Sequence, residues 1–396
     1  MQELNEFQLA SFKLGLLKTY QEPLLKTLLS TFGVTQTVAQ LKDWRESQIG
    51  GLLSELQTLP ELAYGKKNKI LDRLDVLSEK LQSLEINELL EYQASEDIKC
   101  LFPDMAQWPK GFESLEFAPF CLWYRGDIGV MESDKAPVSF VGARASTEYG
   151  EWVTTKFATE LADRGHCVIS GGAYGIDAAA HRSARGTVGN TVAFLAGGVD
   201  DFYPRGNYGL LKSIVNYGGA VCSELPPGSK PLRHRFLQRN RLIAAASYGL
   251  VVVEAGWRSG ALSSAHFALE IGRPVGVVPG PITSGSSLGC VKLLRNKETV
   301  CVCHTEHIIE MLAPMEISLG LVESETKQDE QVRRPTDELD EQQMLVLDSL
   351  GTRKPKSSDA ISMLTNLAIG KVLAILGFLE FKELVANHEA GWVRIC

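Results

Sequence analysis

The chain predicts an α/β fold, an extended Rossmann-like and mainly parallel sheet, flanked by an N-terminal helical domain and a C-terminal winged-helix domain. Three observations predict it. Short apolar runs ending in glycine or a small polar residue recur from Val138 to Val302. Segments with helical spacing, such as "EYGEWVTTKFATELADRG", fill the gaps between them. Strands alternating with helices imply right-handed crossovers and a sheet covered on both faces. The chain has 396 residues, more than one ordinary core needs, so the sheet has neighbours.

Residues 1–95 read as a helical domain, with apolar residues at helical spacing in "FQLASFKLGLLKTYQEPLLKTLLSTF" and "ILDRLDVLSEKLQSLEINELLEY". Gly33 and "IGGLL" punctuate it. An aromatic and proline-rich stretch from Ile98 leads into the core, which extends over 98–313. The candidate strands are "VSFVG" (138–142), "CVISGG" (167–172), "TVAFLAGG" (191–198), "GAVCSE" (219–224), "GLVVVEA" (249–255), "PVGVVPG" (274–280) and "ETVCV" (298–302). Residues 314–337 are polar with weak periodicity and read as a linker. From 338 to 396, helices in "ELDEQQMLVLDSL", "SDAISML" and "NLAIGKVLAILGFL" precede a hairpin in "FKELVANHEAGWVRIC", which is the winged-helix pattern.

Composition narrows the function. The 40 basic and 48 acidic side chains give a formal net charge of -8, which argues against a protein that coats nucleic acid with its whole surface. Yet "KPLRHRFLQRNRL" gathers Lys230, Arg233, Arg235, Arg239 and Arg241, with Glu224 and Glu254 the nearest acids in sequence. The 8 cysteines are scattered and several lie in apolar strand-like runs, which suits buried reduced thiols in the cytoplasm. No apolar run is long enough to span a membrane, and the N-terminus shows no signal-peptide pattern.

Ligands of an open parallel sheet bind at the carboxyl ends of its strands. Three turns fall there: "VGARAST" with Gly142, Arg144, Ser146 and Thr147; "SGGAYGID" with Ser170, Gly171, Gly172 and Gly175; and "EAGWRSGALSS" with Ser259 and Gly260. Each would present backbone N–H groups and a helix dipole to an anion, although tight βα turns use glycine for their own geometry as well. "SGGAYG" is not the dinucleotide fingerprint, and no P-loop pattern occurs. The basic stretch opens the next helix, which places its cations on the same rim; Phe236 adds an aromatic ring beside Arg239, Asn240 and Arg241. Cations along a backbone with an aromatic for stacking suit single-stranded nucleic acid. The competing structural reading pairs Arg239 or Arg241 with Glu224 or Glu254.

Other constellations carry less. Asp177 and His181 are spaced i,i+4 as an acid–base pair or a helix-fixing hydrogen bond. Asp200, Asp201, Glu224 and Glu254 lack a fixed metal-ligand spacing. "CVCHTEH" holds Cys301, Cys303, His304 and His307, but not at the usual zinc spacing, so no metal or cofactor is expected. The tail from Glu338 carries eight acids and six bases, and its third helix has only Lys371 as a cation, which points to a protein contact or weak DNA contact.

The segments "YRGD", "VGARASTEYG", "VISGGAYGIDAAAH", "FYPRGN", "SELPPGSKP", "RFLQRNRLIAAAS", "VVVEAGWRSGAL", "ALEIGRPVGVVPGPI" and "SSLGC", in this order, resemble the DNA-processing protein A family (DprA, also called Smf) of bacterial natural transformation. The resemblance implies a dimeric, non-catalytic protein that binds and protects incoming single-stranded DNA and loads a RecA-type recombinase. By motif it carries DNA contact to Gly142, Arg144, Ser170, Gly171, Phe236, Arg239, Asn240 and Arg241. Ala143 stands where the family has serine, and Leu237 and Gln238 replace its usual proline and base. A rival reading is a nucleotide phosphoribohydrolase-like enzyme on the same scaffold, with Asp177, His181 and Glu254 catalytic.

Overall fold

The computed structural model describes residues 4–18, 22–46, 67–318, 339–351, 354–382, 384–388 and 391–395. Nine strands form the main sheet: β1 Lys99–Leu101, β2 Leu122–Gly126, β3 Val138–Val141, β4 Val168–Ser170, β5 Thr191–Phe194, β6 Ala220–Ser223, β7 Gly249–Val252, β8 Val275–Val277 and β9 Thr299–Cys301. Their order is β1-β2-β6-β5-β4-β3-β7-β8-β9. The expected strands all form, and β3 to β9 pair in parallel. Two strands were not foreseen: β2 pairs antiparallel with β6, and β1 antiparallel with β2.

The topology locates the site. The chain runs outward through β3, β4, β5 and β6. The helix Arg233–Ala246 then carries it back across the sheet to β7, on the other side of β3. Strand order therefore reverses between β3 and β7, and a crevice opens outside their carboxyl ends. Because Arg233–Ala246 returns from the end of β6 to the start of β7, its first turn lies on that rim. It is held to the sheet where the Ser139 hydroxyl donates to the Ile243 carbonyl at 2.8 Å. One face of the sheet packs Phe112, Ile169, Phe194 and Leu242; the other packs Phe140, Phe157, Leu161 and Val251.

The N-terminal helices are Glu6–Leu16, Pro23–Lys42, Lys67–Gln82 and Ile86–Ser95. The first is started by a capping box between Asn5 and Gln8. Gly33, at φ +75°, breaks the second as expected, whereas "IGGLL" lies outside the described residues. These helices share one compact unit with the core, Met1–Glu323. Phe12 meets Trp123 at 5.9 Å between ring centroids. A Cβ on Gly15 would come within 2.8 Å of the Trp123 ring and of Cys121 Sγ, so glycine permits this docking.

The second unit is Ser324–Cys396. Its helices Glu341–Asp348, Ser358–Thr365 and Ile369–Phe381 and the hairpin of β10 Val385–His388 with β11 Gly391–Arg394 match the expected arrangement. They enclose Leu347, Ile361, Leu376 and Val385. The start of the expected linker is instead helical: Thr305–Ser318 continues through Pro314. The rest of the linker lies outside the described residues. Among the described residues no single helix is long and apolar enough to cross a membrane.

Candidate nucleic-acid interface

A groove of about 870 Å³ opens at the reversal between β3 and β7. Eight of the sequence-derived residues line it: Gly142, Arg144, Arg233, Phe236, Arg239, Asn240, Ser259 and Gly260. Ser170, Gly171, Gly172, Lys230, Arg235 and Arg241 do not line it.

The first turn follows β3. Thr147 caps the helix Glu148–Asp163, and the buried Glu254 carboxylate accepts from the Thr147 N–H at 2.9 Å and from its hydroxyl at 2.6 Å. Glu254 therefore anchors the end of this turn and of that helix. The backbone N–H groups of Ala143, Arg144 and Ala145 donate to no acceptor among the described residues. Gly142 packs against Ile176 of the second turn. Gly175 sits at φ +75°, and a Cβ there would strike the Ala143 carbonyl oxygen, so the two turns interlock through a position that requires glycine.

The second turn departs from the expectation. The buried Ser170 hydroxyl donates to the Phe140 carbonyl at 2.6 Å instead of facing the groove. A Cβ on Gly171 would overlap the Arg239 guanidinium, and one on Gly172 would meet Leu195 and Leu211. The close approach that glycine permits here is that of an arginine, not of an anion. Arg239 is 4% exposed, lies beside Asp177, and donates from Nη1 to the Phe194 carbonyl at 2.7 Å. Burial pushes its guanidinium down to about 10, Asp177 opposing and Arg144 adding to the shift. Burial likewise raises Asp177, with Arg239 opposing. Arg239 thus forms part of the groove floor, held from behind.

The basic stretch divides. Arg241 pairs with Glu224 and is 5% exposed, so it is an internal ion pair rather than a cation of the groove. The competing structural reading holds for that arginine. Burial raises the Glu224 carboxyl, with Arg241 opposing. Arg235 donates to the Lys230 carbonyl, and both stand outside the groove. Lys18 of the N-terminal helices lies near them: its ammonium is lowered by burial and then by the Arg235 charge, with Asp200 opposing. Arg233 is exposed on the groove wall.

Phe236 and Arg144 form one feature, the guanidinium lying 4.9 Å from the ring centroid. Tyr203 meets the same ring edge-on at 6.0 Å. Sequence reading missed Tyr203 as a lining residue, although "FYPRGN" after a strand end is a legible signal. It could not have found Lys18, which only docking of the N-terminal helices brings near. At the third turn, Asn240 Nδ2 donates to the Gly260 carbonyl at 3.3 Å and steadies the loop.

The rival catalytic residues have other engagements. His181 is buried and bonded through Nδ1 to the Thr191 hydroxyl at 2.7 Å, and burial, then the Arg239 and Arg182 charges, push it down to about 3. Asp177 accepts from the Ala173 N–H at 3.3 Å, not from His181. Cys301 and Cys303 are exposed with their sulfurs 3.9 Å apart. No group of three or more side chains able to hold a metal ion occurs among the described residues.

A family model described as DNA recombination-mediator protein A matches residues 99–313. A Mycobacterium tuberculosis protein described as DNA processing protein DprA is 38% identical over 305 residues, covering 74% of this chain and 76% of its own length. The Streptococcus pneumoniae DNA processing protein DprA is 38% identical over 188 residues, 48% of this chain and 65% of that protein. Its X-ray structure superposes with a TM-score of 0.58 at 25% identity, covering 78% of this chain and 98% of that one. The Helicobacter pylori DNA processing protein A, whose structure addresses its single-stranded DNA binding mode, gives a TM-score of 0.50 at 28% identity over 55% of this chain and 96% of that one. With its core matched over 99–313 and a relative of this identity covered over three-quarters of its length, the chain belongs to the DNA recombination-mediator protein A (DprA) family.

Proposed function

We propose that this chain is a single-stranded DNA-binding recombination mediator that holds the strand in the groove between β3 and β7. One observation carries the reading. The groove combines Arg144, Arg233 and Arg239 with the Phe236 ring, while its lining contains a single acid, Asp177, which faces Arg239. Cations for phosphates and an aromatic for bases are what sequence-independent strand binding needs. The N–H groups of Ala143, Arg144 and Ala145, which donate to no acceptor among the described residues, add donors for a phosphate. The H. pylori relative, described for its single-stranded DNA binding mode, supports the ligand class.

In this reading the protein works as a non-catalytic homodimer in the cytoplasm, protecting incoming strands in natural transformation and loading a RecA-type recombinase onto them. The engagement of Glu254 with Thr147 and of His181 with Thr191 supports binding over phosphoribohydrolase chemistry. The domain roles follow: the core 98–313 binds DNA, the N-terminal helices brace it, and the winged-helix unit contacts protein.

Fluorescence anisotropy tests the reading. Oligo-dT should bind more tightly than duplex, with log K falling by about 0.7 per phosphate contacted as log[salt] rises. Arg144→Ala and Arg233→Ala should weaken binding to every sequence and flatten that slope. Full oligo-dT affinity in the double variant would overturn the site, and turnover of a nucleoside monophosphate would favour the enzyme.

A further inference from the structure

The loop after β7 carries a tryptophan that the groove leaves unused. Trp257 lies between Gly256 and Ser259, which both line the groove, yet it is not among the lining residues itself. It is 58% exposed, whereas tryptophan is highly buried on average. Its neighbour Arg258 is exposed, and Lys292 holds its ammonium 5.3 Å from the Trp257 ring centroid. Lys292 belongs to the helix Leu288–Leu294, between β8 and β9. The loop is pinned on both sides. Gly289 N–H donates to the Ala255 carbonyl at 2.7 Å, and Asn240 donates to the Gly260 carbonyl at 3.3 Å. A fixed backbone with an exposed aromatic side chain is a preorganised platform.

We propose that Trp257 is a second base-stacking station for single-stranded nucleic acid, at the end of the groove opposite Phe236 and Tyr203. This rests on the strand-binding reading and extends it by giving the strand a direction and a length. Tyr203 follows β5 and Trp257 follows β7, three strand intervals apart in the order β5-β4-β3-β7. At about 4.8 Å per interval this is roughly 14 Å, so a strand of only a few nucleotides reaches both. The strand crosses the rim perpendicular to the β-strands, with Arg144 between the stations and Lys292 and Arg258 beyond.

The test compares a dT dinucleotide, too short to reach both stations, with oligo-dT of about 12 nucleotides on the full chain. Trp257→Ala should lower affinity for the longer oligomer about tenfold or more, in line with the loss of one stacked base. It should leave the shorter oligomer and the salt slope nearly unchanged. Trp257→Phe should recover most of the loss. Trp152, 63% exposed with Lys156 near its ring but on the helix Glu148–Asp163 outside the groove lining, is the control, and Trp152→Ala should change neither oligomer. Unchanged long-oligomer affinity in Trp257→Ala, while Arg144→Ala still weakens binding, overturns the station alone. Absence of oligo-dT binding by the unaltered chain overturns the underlying reading and the station with it.

Discussion

Arg239 and Arg241 show how one short motif serves two purposes. Residues two apart on a helix do not face the same neighbour. Here Arg239 meets Asp177 and the Phe194 carbonyl, while Arg241 meets Glu224. Arg241→Ala leaves the Glu224 carboxylate buried without its partner, a change that costs about 3–5 kcal/mol. The expected outcome is a lower denaturant midpoint with oligo-dT affinity of the folded protein retained. Replacing Glu224 and Arg241 together by glutamine should recover part of the stability. A selective loss of binding at unchanged stability would instead place Arg241 in the strand path. The residue types of the site were legible in the sequence, because cations, glycines and an aromatic at strand ends have few other uses together. Their orientation was not. Whether an arginine lines a groove or neutralises a buried glutamate depends on which acid the neighbouring strand delivers beneath it, and Glu224, just past the end of β6, meets Arg241 rather than Arg239.

Elements were legible in proportion to their regularity. Six of the seven parallel strands, β3 to β8, are buried throughout, as in "VSFV" and "GLVV", and so read as continuous hydrophobic runs; β9, at the sheet edge, is half-buried to exposed. β1 and β2 escaped notice because "KCL" and "LWYRG" are embedded among prolines and aromatics, with no continuous aliphatic run to mark them. The helix Ile176–Ala184 is tied to the sheet by His181, whose ring bonds Thr191 while that hydroxyl donates to the Val168 carbonyl at 2.6 Å. This tie has a pH signature. His181 is pushed from 6.5 to about 3 in the folded chain. Between those values the unfolded chain binds the extra proton, so this residue's contribution falls as pH drops below 6.5 and is undiminished above it. Asp177 and Glu224, both raised by burial, work in the opposite sense over acidic pH. Comparison with His181→Gln isolates the histidine: the variant should lose less thermal stability than the unaltered chain between pH 7 and 4, read as Tm by circular dichroism. Parallel Tm–pH curves would refute the assignment.

At the scale of the whole molecule, charge is segregated. The formal net charge is -8, yet the rim at the β3–β7 reversal carries Arg144, Arg233 and Arg239. The N-terminal helices, locked on through Phe12 and Trp123, bring Lys18 near Arg235 just outside it. The residues after Ser318 hold 13 acids against 9 bases, and every groove residue precedes them. Deleting them therefore removes negative charge without touching the site. The shortened chain should bind oligo-dT at least as tightly as the full one, with the same slope of log K against log[salt], since the phosphates contacted are unchanged. Any gain should be confined to low salt, because at 0.1 M screening acts over about 10 Å. Anisotropy titrations of both chains across a salt series check this. A large loss of affinity with a flatter slope would mean that the C-terminal unit supplies phosphate contacts of its own. Lys371 stands alone as the cation of its third helix, so the expected result keeps strand binding in the core and leaves that unit for contacts of another kind.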